Sequence, residues 1–176
     1  MTNASESEHL FSLLLSSQNN NAHTFVFDIL EFALNLGNFD ACFLYKATPS
    51  KYINLEYLKV KSLKIDLKGS ACDRYFSPIF IPDSKNKKVK QPIEVCAINK
   101  DIINSPNIYN EPNIDASLLK NFDLNNDYNS VSLLAFPLFD NNDNLLAIIQ
   151  FLNAETSSGK ISHISSSTQN KIIALC

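Results

Sequence analysis

Cysteine and histidine are the residue types here that could supply a nucleophile or hold a metal, and this 176-residue chain has four of the first and three of the second. Cys72-Asp73-Arg74 is the most reactive-looking setting, because a cation two residues away favours the thiolate. Such a thiol would suit a reductase or a Cys–His hydrolase. The histidines, His9, His23 and His163, are scattered, and none stands near a nucleophile in sequence. His23 beside Asp28, or His163 before the last helix, offers a second chemistry, a haem or metal sensor. A lone helical histidine is more often a satisfied or surface residue than a ligand. Cys42, Cys72, Cys96 and Cys176 contain no C-x-x-C pair and fit no common zinc spacing. Cys42 and Cys96 sit among apolar residues and read as reduced, buried small hydrophobes, as expected in the cytoplasm. No catalytic constellation emerges, so no catalytic or metal-ligating residue is expected.

Composition narrows the classes further. The net charge is −3, and Arg74 is the only arginine, so bidentate recognition of bases or phosphates has one candidate and nucleic acid is not an expected partner. Apolar residues make up 45% of the chain, enough for a single packed core. The N-terminus lacks the basic flank of a signal peptide, and the apolar runs are too short to span a bilayer. Direct membrane contact is therefore not expected from this chain.

The elements that must position any site follow from periodicity. Ser5 and Glu8 form a capping box before an apolar stretch at 9–17, which predicts a short N-terminal helix. Asn21 and Gly37 bracket a helix over 22–36. Phe25, Ile29, Phe32 and Leu36 make one stripe on it, and Val26, Leu30 and Ala33 another, so two of its surfaces should be covered. Residues 41–47 read as a strand. Ile53, Leu55, Tyr57 and Val60 predict a half-exposed strand over 52–65. Residues 66–91 are turn-like, with Lys85, Lys87, Lys88 and Lys90 in a solvated loop. Pro92 opens a short helix, a turn or two of helix follows at 117–122, and serine caps begin a last helix over 165–176.

The passage "SVSLLAFPLFDNNDNLLAIIQFLNA", 130–154, is the most informative. A strand with one wet face alternates, and these two strands barely do, so both faces must be covered. Asp140 to Asn144 makes a turn that tolerates positive φ. The pair therefore belongs in the middle of a sheet. Helices should cover one face. The segments 66–91 and 99–129 are left to roof the other, and irregular roofs leave hollows. Ser132 and Gln150, polar residues inside the greasy runs, are candidates to face that hollow.

"SLLAFPLFDNNDNLLAIIQFLNA" resembles the signature of GAF domains, in which a strand ending in Pro-Leu is followed by a short turn and a strand ending in Leu-x-Asn. "NAETSSGKISHISSSTQNKIIALC" downstream is also similar. "DACFLYKA", "YLKVKSLKI" and "PIEVCAINKDIINSPNIYN" fall upstream in the expected order. The resemblance is closest to GAF domains preceding HD-GYP phosphodiesterase or nucleotide cyclase domains in bacteria. It implies an α+β fold of α/β/α layers: a central antiparallel sheet, N- and C-terminal helices on one face, and loops and short helices roofing a pocket on the other. Residues 1–176 would be one sensory domain. Within it, 1–20 would be a helical extension and 165–176 the start of an output-linker helix. The implied function is small-molecule sensing and dimerisation within a larger signalling protein, a cyclic-di-GMP phosphodiesterase, cyclase or sensor kinase. The terminal helices would form a homodimer.

The implied pocket lies between the sheet and residues 92–130. Its candidate lining is Cys96, Asn99, Tyr109, Leu118, Phe122, Tyr128, Ser132, Phe136 and Gln150. The departures from the family pattern bear on the ligand. Where relatives carry Thr-Gly-Tyr-Arg-Thr-Lys-Ser, this chain has Asn126 to Ser132, which keeps Tyr128 and Ser132 but loses the glycine and both basic residues. Phosphate recognition has no cation left there. Asn153 is followed by Ala154, not by the lysine of cyclic-nucleotide-binding members. The Cys-His dipeptide for bilin attachment is absent, so no covalent chromophore is expected. The cysteines do not match the methionine-sulfoxide-reducing members.

Overall fold

The computed structural model describes residues 22–82 and 90–176, with the backbone alone for 22–24. The helix expected at 9–17, the Asn21 cap, and Lys85, Lys87 and Lys88 lie outside the described residues. Helix α1 is Ala22–Leu36, followed by strands β1, Phe39–Ala47, and β2, Tyr52–Val60. Then come β3, Ile65–Lys68, a 3-10 turn at Gly69–Cys72, and β4, Ile79–Phe80. One helical turn, α2, Pro92–Glu94, runs into a π turn, Val95–Asn99. Strand β5, Ile103–Ser105, a 3-10 turn at Ile108–Asn110, and helix α3, Ser117–Asn126, complete the roof. The hairpin β6, Leu133–Phe139, and β7, Leu145–Glu155, leads to β8, Ile161–Ser162, and helix α4, Ser166–Leu175.

The sheet is antiparallel, in the order β3-β2-β1-β7-β6-β5, with β4 on β2 and β8 on β7. The greasy hairpin is central, as continuous apolar runs require. Alternate residues of each strand feed two cores. Leu30, Ala33 and Leu34 of α1 and Ile172 of α4 pack on Cys42, Leu134, Phe136, Ile149 and Phe151. On the other face, Ile93, Cys96, Ile108, Leu119 and Phe122 of the roof pack on Phe43, Tyr45, Leu133, Ala135, Ile148 and Leu152.

Three local expectations are corrected. The strand foreseen over 52–65 is two strands joined by a turn at 61–64, where Lys64 takes φ +55°. Within β2, Tyr45 pairs with Leu55 while Leu44 pairs with Tyr57, so Glu56 is the extra residue of a β-bulge. The bulge breaks the two-residue period: Leu55 and Leu58 face the roof, and Tyr57 turns to the helices. Asn38, at φ +48°, makes the left-handed exit from α1, whereas Gly37 is needed because a Cβ there would lie 2.0 Å from the Phe39 ring. Lys90, foreseen in a solvated loop, is buried; its backbone bridges to Ile114 and its ammonium donates to Asn99 at 3.2 Å.

Candidate functional site

The roof rests on aromatic rings. Phe122 of α3 stacks on Phe76 with centroids 5.8 Å apart and 14° between planes, and meets Phe43, Tyr75 and Tyr128 at 5.4, 6.0 and 5.7 Å. Above this floor, between α3 and the irregular chain at 75–79, lies a cleft of about 480 Å³. Helix α3 presents Leu118, Asn121, Phe122 and Asn125 to it, the i, i+3, i+4, i+7 positions of one helical face. Tyr75, Phe76 and Ser77 form the opposite wall, and Gln91 closes one end. Gln91 and Glu94 form a capping box at the start of α2, in which the Gln91 N–H donates to Glu94 Oε2 at 2.8 Å.

The expected lining residues divide. Leu118 and Phe122 line the cleft. Tyr109 and Tyr128 line a separate recess of about 610 Å³ on the far side of α3, with Lys120, Asp123 and Asp127. Cys96 is a buried residue of the roof itself, and Gln150 is buried beneath it in the sheet, opposite Ala135 and Phe43. Asn99 is exposed and accepts from Lys90. Ser132 is buried, but its hydroxyl is engaged by the Ala154 N–H at 2.9 Å. Phe136 packs on the helix-covered face, so it lies outside the hollow; alternation along β6 puts Ala135 under the roof instead. Tyr75, Phe76, Gln91, Asn121 and Asn125 were not foreseen as lining residues. The spacing from Leu118 to Asn125 carried the signal, but a helix drawn to end at 122 hid it.

Two polar clamps brace the roof, one within it and one to the sheet. Asp123 accepts from Tyr109 Oη at 2.6 Å, from the Ser130 N–H at 2.8 Å and from Ser130 Oγ at 2.8 Å. Burial, then the Asp123 carboxylate, raises the Tyr109 hydroxyl pKa. Asn153 accepts from the Val131 N–H at 2.7 Å and donates to Asn129 O at 2.8 Å and Tyr128 Oη at 3.0 Å. A third hollow, about 250 Å³ and mostly apolar, lies on the helix-covered face between α1 and the sheet, with Lys46 and Glu56 among its lining residues.

The setting of Cys72 is not that of a reactive thiol. Burial, with Glu56 and Asp73 adding to it, pushes its pKa up to about 11; Arg74, lying over the Tyr75 ring at 5.2 Å, opposes the rise without reversing it. Burial also pushes Cys96 and Cys176 up to about 12. Among the described residues no three ligating side chains converge on a metal position, and His163 is exposed. Among the same residues no helix is long and apolar enough to cross a membrane.

No family model and no curated protein matches the chain. Solved structures do. The GAF domain of an Acinetobacter phosphoenolpyruvate-protein phosphotransferase superposes with TM-score 0.60 at 12% identity, over 99% of this chain and 90% of that one. GAF3 of a Synechocystis protein, in its photoproduct state, gives 0.57 at 10% identity over 88% of each chain. The chromophore-binding domain of a Stigmatella aurantiaca bacteriophytochrome gives 0.54 at 11% identity, over 98% of this chain and 57% of that one. The antiparallel sheet and its helices thus have the GAF fold.

Proposed function

We propose that this chain is a regulatory module that senses a small molecule, within a larger bacterial signalling protein of the cytoplasm. The observation that carries this reading is the cleft of about 480 Å³ between α3 and residues 75–79, over an aromatic floor. Its size is in the range of about 300–1,000 Å³ usual for ligand sites. The fold neighbours in a phosphotransferase and a bacteriophytochrome support the same reading. In this reading the output is a cyclic-di-GMP phosphodiesterase, a cyclase or a sensor kinase, and the terminal helices join two copies. Ligand binding acts by favouring one arrangement of those helices, which requires different affinities in the two arrangements.

A ligand that binds only the folded state raises its stability by RT ln(1 + [L]/Kd), about 2.7 kcal/mol at a hundredfold excess over Kd. A thermal-shift screen of cyclic nucleotides, amino acids, small organic acids and uncharged heterocycles is expected to find a molecule that raises the melting temperature. A screen in which nothing moves it would overturn the sensing role. Light scattering on the purified chain tests the dimer.

A further inference from the structure

We infer that the hollow of about 250 Å³ on the helix-covered face, between α1 and the sheet, is a second ligand site, and that it takes a free amino acid with an apolar side chain. Val26 and Leu30 of α1, Leu44, Ala147 and Ile149 of the sheet, and Cys176 at the end of α4 give it an apolar wall. Apolar cavities favour apolar occupants, and this one is smaller than the roughly 300–1,000 Å³ usual for drug-sized ligands, which suits a single side chain. It lies across the sheet from the roofed cleft and is independent of it.

Two opposite charges stand at this hollow. Lys46 follows Leu44 by two residues in β1 and shares its face, and it lines the hollow together with Glu56. Lys46 pairs with Asn54, so Glu56, two residues on, is its diagonal neighbour, at a spacing of about 7–8 Å. Lys46 is exposed and Glu56 half-buried, so solvent reaches both. Among the described residues neither makes a hydrogen bond or an ion pair, whereas Lys59 of β2 is paired with Glu31 and Asp66, and Lys68 of β3 lies over the Phe27 ring. An amino acid carries an ammonium and a carboxylate on one carbon beside its side chain. The carboxylate accepts from Lys46, the ammonium donates to Glu56, and the side chain fills the hollow. A hydrocarbon leaves both charges unused, and a fatty acid or a simple amine meets one of them and is repelled by the other. Because α1 and Cys176 of α4 are walls of the hollow, its occupancy bears on both helices without passing through the roof.

The test is isothermal titration of the full chain with leucine and phenylalanine, against glycine and two analogues of leucine: 4-methylpentanoate, which lacks the ammonium, and 3-methylbutylamine, which lacks the carboxylate. Lys46→Gln, Glu56→Gln and Ala147→Leu are made alongside. The first two change side chains that solvent reaches, and unchanged denaturation midpoints show that they fold; the third fills the hollow. The expected result is one leucine or phenylalanine bound per chain and no binding of glycine. Affinity should fall about tenfold or more with either analogue or either glutamine variant, the scale of one hydrogen bond to a charged group. Ala147→Leu should abolish binding; if that variant does not fold, the two glutamine variants decide. If an amino acid binds and the variants bind it as the wild type does, it occupies another place, and the inference is overturned while the sensing role stands. Equal binding of leucine and both analogues overturns the zwitterion class. If neither leucine nor phenylalanine binds, the inference is overturned without bearing on the roofed cleft.

Discussion

Asn153 Nδ2 donates to Tyr128 Oη at 3.0 Å, joining the last long strand to the segment that closes the roof. The same amide takes the Val131 N–H and gives a second bond to Asn129 O, while its backbone sits at φ +56°. Asparagine is one of the few residues with a side chain that adopt this left-handed conformation readily. Two demands therefore meet at one position, and substitutions separate them. Asn153→Ala loses three hydrogen bonds and adds backbone strain, and is expected to destabilise by about 2–4 kcal/mol. Asn153→Gly loses the bonds without the strain and should be about 1 kcal/mol milder. Urea denaturation of both variants checks the order; a glycine variant no more stable than the alanine variant would remove the strain argument.

Gly37 is held by sterics. A Cβ there would lie 2.0 Å from the Phe39 ring, which is itself stacked on Phe151 at 4.9 Å and buried. The ring can move away only by displacing the residues packed on it. Gly37→Ala is expected to cost about 1–3 kcal/mol as an overpacking change, although alanine raises helix propensity. Gly37→Ala combined with Phe39→Leu should recover part of that loss if the clash is its cause. A Gly37→Ala melting temperature equal to that of the wild type would refute the clash.

The central hairpin was legible because burial on both faces demands continuous apolar runs, and 133–138 and 145–152 satisfy this without reference to any partner. The bulge at Glu56 was not, since two residues opposing one is a property of the pair β1–β2 and leaves no mark in either strand alone. The misplacement of Phe136 has the same root. Alternation says that Ala135 and Phe136 face opposite ways, but which way depends on the layers packed against them. Leu118 and Phe122 were found because they are apolar on a short helix. Asn121, Asn125 and Gln91 were missed because a polar helical face looks the same in sequence whether it meets bulk water or the wall of a cleft.

The cysteines bear on the thiol-enzyme alternative. Each of the four is shifted upward, with burial the leading cause. Against the ordinary value of 9.0, Cys72 rises to about 11 and Cys96 to about 12. A group raised in the folded state contributes stability that is complete below its unfolded pKa and lost as pH rises through its folded one. Stability should therefore decline from about pH 9 to about pH 12 through the thiols, with buried tyrosines adding to it. At pH 7.5 a disulfide-exchange reagent is expected to titrate the folded chain slowly and the denatured chain rapidly. Fast stoichiometric reaction of Cys72 in the folded protein would restore the enzyme reading.

At the hairpin loop the direction is opposite. Asp140 accepts from the Asn142 and Asn144 N–H groups at 2.8 Å and from Asn144 Nδ2 at 2.9 Å, and these bonds, Asn144 first, lower its pKa below 3.8. A carboxyl lowered in the folded state contributes stability above its unfolded pKa that is lost as pH falls through the folded one. The gain of the wild type over Asp140→Asn should thus persist at neutral pH and fade below about pH 4. A difference independent of pH would mean that the loop uses the carboxylate only as a shape.

Asn104 of β5 donates to Ile164 O at 3.0 Å and to Gln169 Oε1 at 2.8 Å, so one side chain ties the roof-side edge strand to helix α4. Strand β5 is short and, among the described residues, pairs only with β6, which leaves this amide as a principal restraint between β5 and α4. The Ser165 hydroxyl caps α4 independently, at 3.1 Å from the Thr168 N–H. Losing the tie should therefore free the helix as a unit, without unwinding it from its start. Asn104→Ala is expected to lower global stability by about 1–2 kcal/mol, the scale of two hydrogen bonds. Amide exchange along 166–175 should accelerate more than exchange in β1 or β7, because local opening draws on local contacts. If exchange rises equally in all three, Asn104 acts only on the whole fold, and the route from the roof to the terminal helix runs elsewhere.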